Sequence, residues 1–496
     1  MIGRRARRRQ AWLLRTNRIL GRRDEFRSAR SFARAFRADG KSALSPSQIT
    51  RWEKGESFAD GTVLHRYEAL LQVPGRMLTV ANEAARRFLN DEQPTTEGGD
   101  LPDAALHELL DRACVPGAMA GTDWRDLTRA VAARPDLLLH PPRLWVAIAE
   151  NLLGELVIAE QTEWLVRQEA MSRLLEHRAS APHALDICTG MADDRATPVC
   201  IEPISLLDNS VLPSASRYVL AQLRDPDGVR ALHGALLAAV AKVRRGHFTV
   251  TETAELRHLA TALLAEGHDH PLVTPMAVEL GHVLRLRDTP EPVVDNRVSA
   301  HLALTAQARS AAAEPGVDEV LAELVGEAMF RQNPDARLYA TALITATPYR
   351  EPLATAVTDW LAAEDLRDEL LVERGLGLLN KLGAPTHRVL VRALLLDPAL
   401  SARNRHAAAW ASTHSPGWLD EGVWRAIVAT QTALFRNRPS PLDDDILRGL
   451  VYSIGTDAHR CLLREMHADT RVPAQARALA AWWLRVGPAG DCRAGG

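Results

Sequence analysis

The chain of 496 residues is too long for one hydrophobic core and points to two to four domains of about 100 to 200 residues each. A composition of 46% hydrophobic and 25% charged residues excludes a disordered chain, while 5% aromatics beside abundant Ala, Leu and Arg favours helices over sheets. The formal net charge of −2 hides an asymmetry: residues 1–90 carry 20 Lys+Arg against 8 Asp+Glu, or +12, which leaves 60 − 20 = 40 against 62 − 8 = 54, or −14, for the rest. The basic end is the natural partner of a polyanion, and the acidic remainder repels phosphates on average. Cys114, Cys188, Cys200, Cys461 and Cys492 are scattered without a CxxC spacing, so neither a zinc site nor a disulfide framework is expected.

From the N-terminus, Arg4, Arg5, Arg7, Arg8 and Arg9 lack the apolar run that would make them a leader, and the longest apolar stretches fall far below about 18 residues. A cytoplasmic protein with no membrane contact is the expectation. The cluster itself reads two ways, as an arm lying in a minor groove or along phosphates, or as a solvated, disordered tail. Arg22, Arg23, Arg27, Arg30, Arg34 and Arg37 recur every three or four residues and share helix faces, with Phe26, Phe32 and Phe36 turned inward.

The strongest local signal is residues 45–55, SPSQITRWEKG. Ser45 suits an N-cap, Pro46 the first helical position, and Gln48 three residues on completes a capping box. Ile49 and Trp52 face inward; Ser47, Gln48, Thr50 and Arg51 project outward near the helix start; Gly55 stands where the chain must turn left-handed to leave the helix.

Residues 28–71 resemble the Cro/CI (XRE) type of helix-turn-helix, with residues 31–37 as first helix, 45–54 as recognition helix and 61–71 as the helix closing the core. The resemblance implies double-stranded DNA as partner and Ser47, Gln48, Thr50 and Arg51 as the readers of base edges: Gln bridges adenine, Arg bridges guanine, and Ser or Thr bonds bases or phosphate. Lys41, Ser45, Lys54, Arg30 and Arg34 are the expected contacts to the DNA backbone. The connection at residues 38–44, ADGKSAL, is longer than the tight turn usual in this family and would reach the backbone through Lys41.

Residues 90–100, NDEQPTTEGGD, read as a linker after the helical run 77–89. Amphipathic helices are expected at 103–113, 124–133, 144–158 and 163–177, and a more irregular passage with Pro182, Pro198 and Pro203 closes a middle region at 209. Beyond it Arg217, Arg257, Arg297, Arg337, Arg374, Arg403, Arg448 and Arg477 each open a run of small and apolar residues, at intervals of 40, 40, 40, 37, 29, 45 and 29 residues. A period near 40 to 47 resembles HEAT-like repeats, in which stacked helix pairs form one continuous core. The repeated arginine is expected to be structural, bonding loop carbonyls or an acid of the adjacent unit, and Trp410, Trp418, Trp424, Trp482 and Trp483 to fill repeat cores.

The expected fold is all-α: a basic helix-turn-helix domain at 1–89, the linker, a helical middle region at 101–209, α-solenoid-like (HEAT-like) repeats at 210–487 and a disordered tail at 488–496. The expected function is a DNA-binding transcriptional regulator whose repeat body senses a partner or signal. The alternative is a protein-interaction scaffold in which the small domain is an anchor. There is room for a protein partner on the repeat body and for a homodimer. No catalytic constellation, metal site or cofactor is expected: residues 267–271, GHDHP, read as an exposed turn, and Gly375 and Gly377 lack the preceding strand and third glycine of a nucleotide loop.

Overall fold

Apolar residues at helical spacing, broken by Pro, Gly and short polar caps, give helices throughout, and the regular elements of the described residues are all helical. The computed structural model describes residues 3–36, 44–73, 76–90, 101–194, 197, 199–267, 270, 272–287, 289–290, 298–312, 318–363, 368–384, 387–413, 420–440 and 442–486. The expected linker beyond Asn90, the tail at 488–496, Arg37, Lys41 and Trp418 lie outside them.

The N-terminal segment comprises α1 (Arg4–Leu20), α2 (Ala29–Phe36), α3 (Pro46–Glu53), α4 (Gly61–Leu71) and α5 (Met77–Asn90). Helix α1 packs against α3, α4 and α5 and buries Leu13 and Leu14 completely. An aromatic cluster closes the other side, with Phe32 edge-on to Tyr67 at 4.7 Å and to Phe26 at 5.4 Å. The expected helices at 31–37, 45–54 and 61–71 correspond to α2, α3 and α4 within two residues.

The middle of the chain forms α6 (Asp103–Ala113), α7 (Gly121–Ala132), α8 (Arg143–Leu156), α9 (Gln161–Glu176), α10 (Ala181–Asp193) and α11 (Ile201–Ser205). Helix α9 is central to it, packing on α5, α7, α8 and α10. The passage expected to be irregular holds α10, because Pro182 falls in the first turn of that helix, where its missing N–H costs nothing.

The remainder is α12 (Pro213–Arg224), α13 (Val229–Arg244), α14 (Val250–Glu266), α15 (Val273–Val283), α16 (Val298–Ala311), α17 (Glu319–Phe330), α18 (Pro334–Thr345), α19 (Arg350–Ala363), α20 (Glu369–Leu382), α21 (Arg388–Leu396), α22 (Ala402–Ala411), α23 (Glu421–Asn437), α24 (Asp443–Thr456), α25 (Arg460–Ala468) and α26 (Ala474–Val486). Helices α18, α20, α22, α24 and α26 pack in succession as one row, and α19, α21, α23 and α25 pack behind it. Trp424, Trp482 and Trp483 are buried in these layers, whereas Trp410 is half-buried. The row curls back on α13 and on the middle region: Arg230 on α13 pairs with Asp445 on α24 at 3.1 Å, and the Tyr452 hydroxyl donates to the Val157 carbonyl at 3.3 Å.

The recurring arginines divide. Arg337 donates to the loop carbonyls of Arg331 and Gln332 at 2.6 and 2.7 Å, and Arg403 of α22 pairs with Glu373 of α20, its neighbour in the row, at 2.9 Å, both as expected of a structural role. Arg217 and Arg257 are exposed, and Arg297 lies outside the described residues. No helix among the described residues is long and apolar enough to cross a membrane.

Candidate nucleic-acid interface

Helix α3 is fixed at both ends by its own sequence. Ser45, in an extended conformation, accepts the Gln48 backbone N–H on its hydroxyl at 3.3 Å, and Pro46 occupies the first position. Only this half of the expected capping box forms, because the Gln48 amide donates instead to the Ser57 hydroxyl at 3.4 Å. At the other end Gly55 has φ +71°, its N–H bonds the Trp52 carbonyl at 3.1 Å and the Glu56 N–H bonds the Arg51 carbonyl at 2.9 Å, which is a Schellman motif. A side chain at 55 meets only ordinary contacts with Arg7 and Ala11, so the positive φ sets its cost. Gly55→Ala is therefore expected to lose about 1 to 2 kcal/mol and Ser45→Ala about 1 kcal/mol in urea denaturation of the full chain.

The two faces of α3 differ sharply. Ile49 and Trp52 are buried, and so is Glu53, whose carboxylate takes both the Nε and Nη2 of Arg18 at 2.7 and 2.6 Å and the Tyr67 hydroxyl at 3.1 Å. Burial works against the Arg18 charge, but the hydrogen bond and charge of Glu53 outweigh it and raise its pKa. Burial, and after it Glu53, pushes the Tyr67 phenol well above its ordinary range.

Of the expected base readers, Ser47 and Arg51 are exposed, and Gln48 and Thr50 are half-buried. The Thr50 hydroxyl is turned back onto the Pro46 carbonyl at 3.1 Å and Ser47 shares a hydrogen bond with Ser45 at 2.7 Å. The Arg51 guanidinium makes no hydrogen bond or ion pair with the described residues. Ser45 and Lys54 are exposed at the two ends of α3, and Arg30 and Arg34 are exposed one turn apart on α2, which packs on α3. Lys41, the remaining expected backbone contact, lies outside the described residues.

The N-terminal arginines follow neither of their two expected courses. They start α1, and three of them face α17: Arg5 and Arg9 pair with Glu323 at 2.9 and 3.2 Å and both also with Glu327, while Arg8 pairs with Glu319 at 2.9 Å. The Trp12 indole adds a bond to Asp318 at 2.7 Å, and Asn17 one to the Ala346 carbonyl at 2.8 Å. Burial opposes the Glu323 charge, but Arg9 and Arg5 overcome it and hold its pKa below the usual carboxylate range. A signal for this contact is present in the sequence, since Glu319, Glu323 and Glu327 recur every four residues and form one acidic ridge. Nothing in the sequence says which basic surface that ridge meets.

Helix α5 completes the attachment. Arg87 pairs with Glu169 of α9 at 2.8 Å, both side chains 5% exposed, Glu83 takes Arg129 of α7, and Phe88 lies 5.0 Å from Tyr339 of α18. The basic segment is thus seated on the body along α1 and α5, with the exposed ends of α2 and α3 outside those contacts. No group of three or more His, Cys, Asp or Glu among the described residues is arranged to hold a metal ion.

These features define a class, an all-helical protein that presents a capped, arginine-flanked helix from a basic segment docked on an acidic body. Comparison with protein-family models, with curated proteins and with solved structures finds no match to this chain.

Proposed function

We propose that this chain is a DNA-binding transcriptional regulator of Cro/CI (XRE) type, in which α2 and α3 form the helix-turn-helix and the two-row body is a HEAT-like array that senses a signal or partner. The observation that carries the reading is the polarity of α3. Its inner face is locked by Ile49, Trp52 and the buried Glu53, while Ser47, Arg51 and Lys54 are exposed, as are Arg30 and Arg34 of α2, the helix packed on it. A recognition helix needs that arrangement, because a rigid inner face sets the register in which the outer side chains meet base edges. Arg51, with no partner of its own among the described residues, is the side chain placed to bridge guanine. Gln48 and Thr50 are subordinate readers, since each already has an intramolecular bond. Such a protein works in the cytoplasm, and a homodimer would read paired half-sites.

The test is an anisotropy titration of the full chain against duplex DNA at several salt concentrations. Arg30→Ala and Arg34→Ala should each lower the salt slope by about 1 while weakening all sequences alike, and Arg51→Ala should cost about 1 to 3 kcal/mol on the preferred sequence alone. Equal losses on every duplex for Arg51→Ala would remove it as a reader.

The alternative, an interaction scaffold anchored by its small domain, is favoured by one observation: Arg5, Arg8 and Arg9 are spent on α17 rather than left for phosphates. It predicts no duplex affinity even at low salt, together with recovery of a stoichiometric protein partner on the full chain.

A further inference from the structure

Where the row of helices curls back on the middle region, it forms two adjoining, partly open cavities of about 270 and 340 Å³. They share Glu202, Arg230, Asn380, Lys381 and Trp410, so they are lobes of one site. The volumes are those of small-molecule sites, and the walls follow the same pattern, mostly apolar with a few converging polar groups. One lobe is largely apolar, walled by Leu165, Leu338, Trp410 and Tyr452 together with Met77 and Ala81 of α5. The other is charged.

Charge in the lining is unbalanced. Arg230, Arg337, Arg374, Lys381 and Arg448 face three carboxylates, Glu202, Glu373 and Asp445, giving 5 − 3 = +2. Two of the three carboxylates are already engaged, Asp445 by Arg230 at 3.1 Å and His406 at 2.7 Å, and Glu373 by Arg403 at 2.9 Å. Burial holds the third, Glu202, toward its neutral form. Lys381 lines both lobes and makes no hydrogen bond or ion pair with the described residues. Burial, and after it the neighbouring Arg337, pushes its ammonium down to about 7, with Asp335 opposing. An amine that lines both lobes without a partner among the described residues, in a lining rich in arginine, is the group placed to meet an anion that arrives from outside.

Asn380, beside Lys381, accepts the Thr413 hydroxyl on its Oδ1 at 3.0 Å, which leaves its NH₂ as a further donor for that anion. In the apolar lobe Trp410 and Tyr452 stand 6.3 Å apart, presenting aromatic surface within reach of the charged group.

We propose that this cavity is a binding site for a small aromatic anion, with its acid group on Lys381 and its ring in the lobe walled by Trp410 and Tyr452. The site is independent of whether the chain binds DNA.

The probe is 1-anilinonaphthalene-8-sulfonate, with the uncharged N-phenyl-1-naphthylamine as its comparator, titrated into the full chain by calorimetry and fluorescence. The sulfonate should bind once per chain and about tenfold or more tighter than the neutral dye, as one charge-assisted contact implies. Lys381→Met should remove that preference, and Lys381→Arg should keep it. Equal binding of the two dyes to the unaltered chain would overturn the proposal without any variant. So would a sulfonate affinity unchanged in a Lys381→Met chain whose circular dichroism melt matches the parent.

Discussion

Replacing Glu53 with Ala is expected to destabilise the chain by about 3 to 5 kcal/mol, because the guanidinium of Arg18 then stays in the core with no carboxylate. Both side chains are at most 6% exposed, so water cannot take over the lost contact. The same deletion strands the Tyr67 hydroxyl, whose bond to Glu53 is 3.1 Å long. Tyr67→Phe, which removes only that bond, should cost about 1 kcal/mol by the same measurement, urea denaturation followed by circular dichroism. Two equal, small losses would mean that the carboxylate does not hold α1 to α3. The consequence for function is indirect but large, since α3 keeps its register only while its inner face is fixed.

The second large effect is expected at the seam between α5 and the body. Arg87→Met leaves Glu169 and Asn209 facing each other in a site from which their cation, bonded at 2.8 and 2.6 Å, has gone, and should cost about 3 to 5 kcal/mol. Burial works against the Arg87 charge, but the Glu169 and Asp208 charges outweigh it and raise its pKa, so the cation is present at any working pH. Pairing Arg87→Met with Glu169→Met should recover most of the loss, since a buried ion pair contributes little net stability against apolar residues of similar size. Hydrogen exchange should show the effect concentrated in α5 and α9. Protection lost evenly over the whole chain would contradict a local seam.

The sequence reveals helices best where each carries its own punctuation. Helix α3 is legible to within a residue because Ser45, Pro46 and Gly55 act on the backbone beside them and need no distant partner. Helix α6, expected at 103–113, is found there for the same reason, an apolar stripe that begins after Pro102 and ends before Pro116 and Gly117. What is lost is everything that depends on a second segment far along the chain. Arg5 and Glu323, or Arg230 and Asp445, are hundreds of residues apart, and no local pattern pairs them. An arginine run looks the same whether it meets phosphates or an acidic ridge. The charge split between residues 1–90 and the rest, +12 against −14, is therefore partly consumed within the chain, through the contact between α1 and α17. The cavity is hidden for a related reason. Arg337, Arg374 and Arg448 recur at the spacing of the repeats and look like structural parts of them, and only the curl of the row turns them toward one space with Lys381.

The charge contacts also set the conditions in which DNA affinity is to be read. Arg5 and Arg8 are nearly half exposed, and their pairing with α17 is screened by salt, whereas Arg9 with Glu327 is buried and is not. Low salt thus strengthens the docking of α1 and, on the proposed DNA-binding reading, the phosphate contacts together.

The most direct test of the central claim is selection of duplexes from a randomised pool by the full chain. The account predicts enrichment of one short motif containing a guanine whose preference disappears in Arg51→Ala but persists in Arg30→Ala. A pool that stays unenriched, with no duplex retained at low salt, would contradict it and leave the scaffold reading in its place.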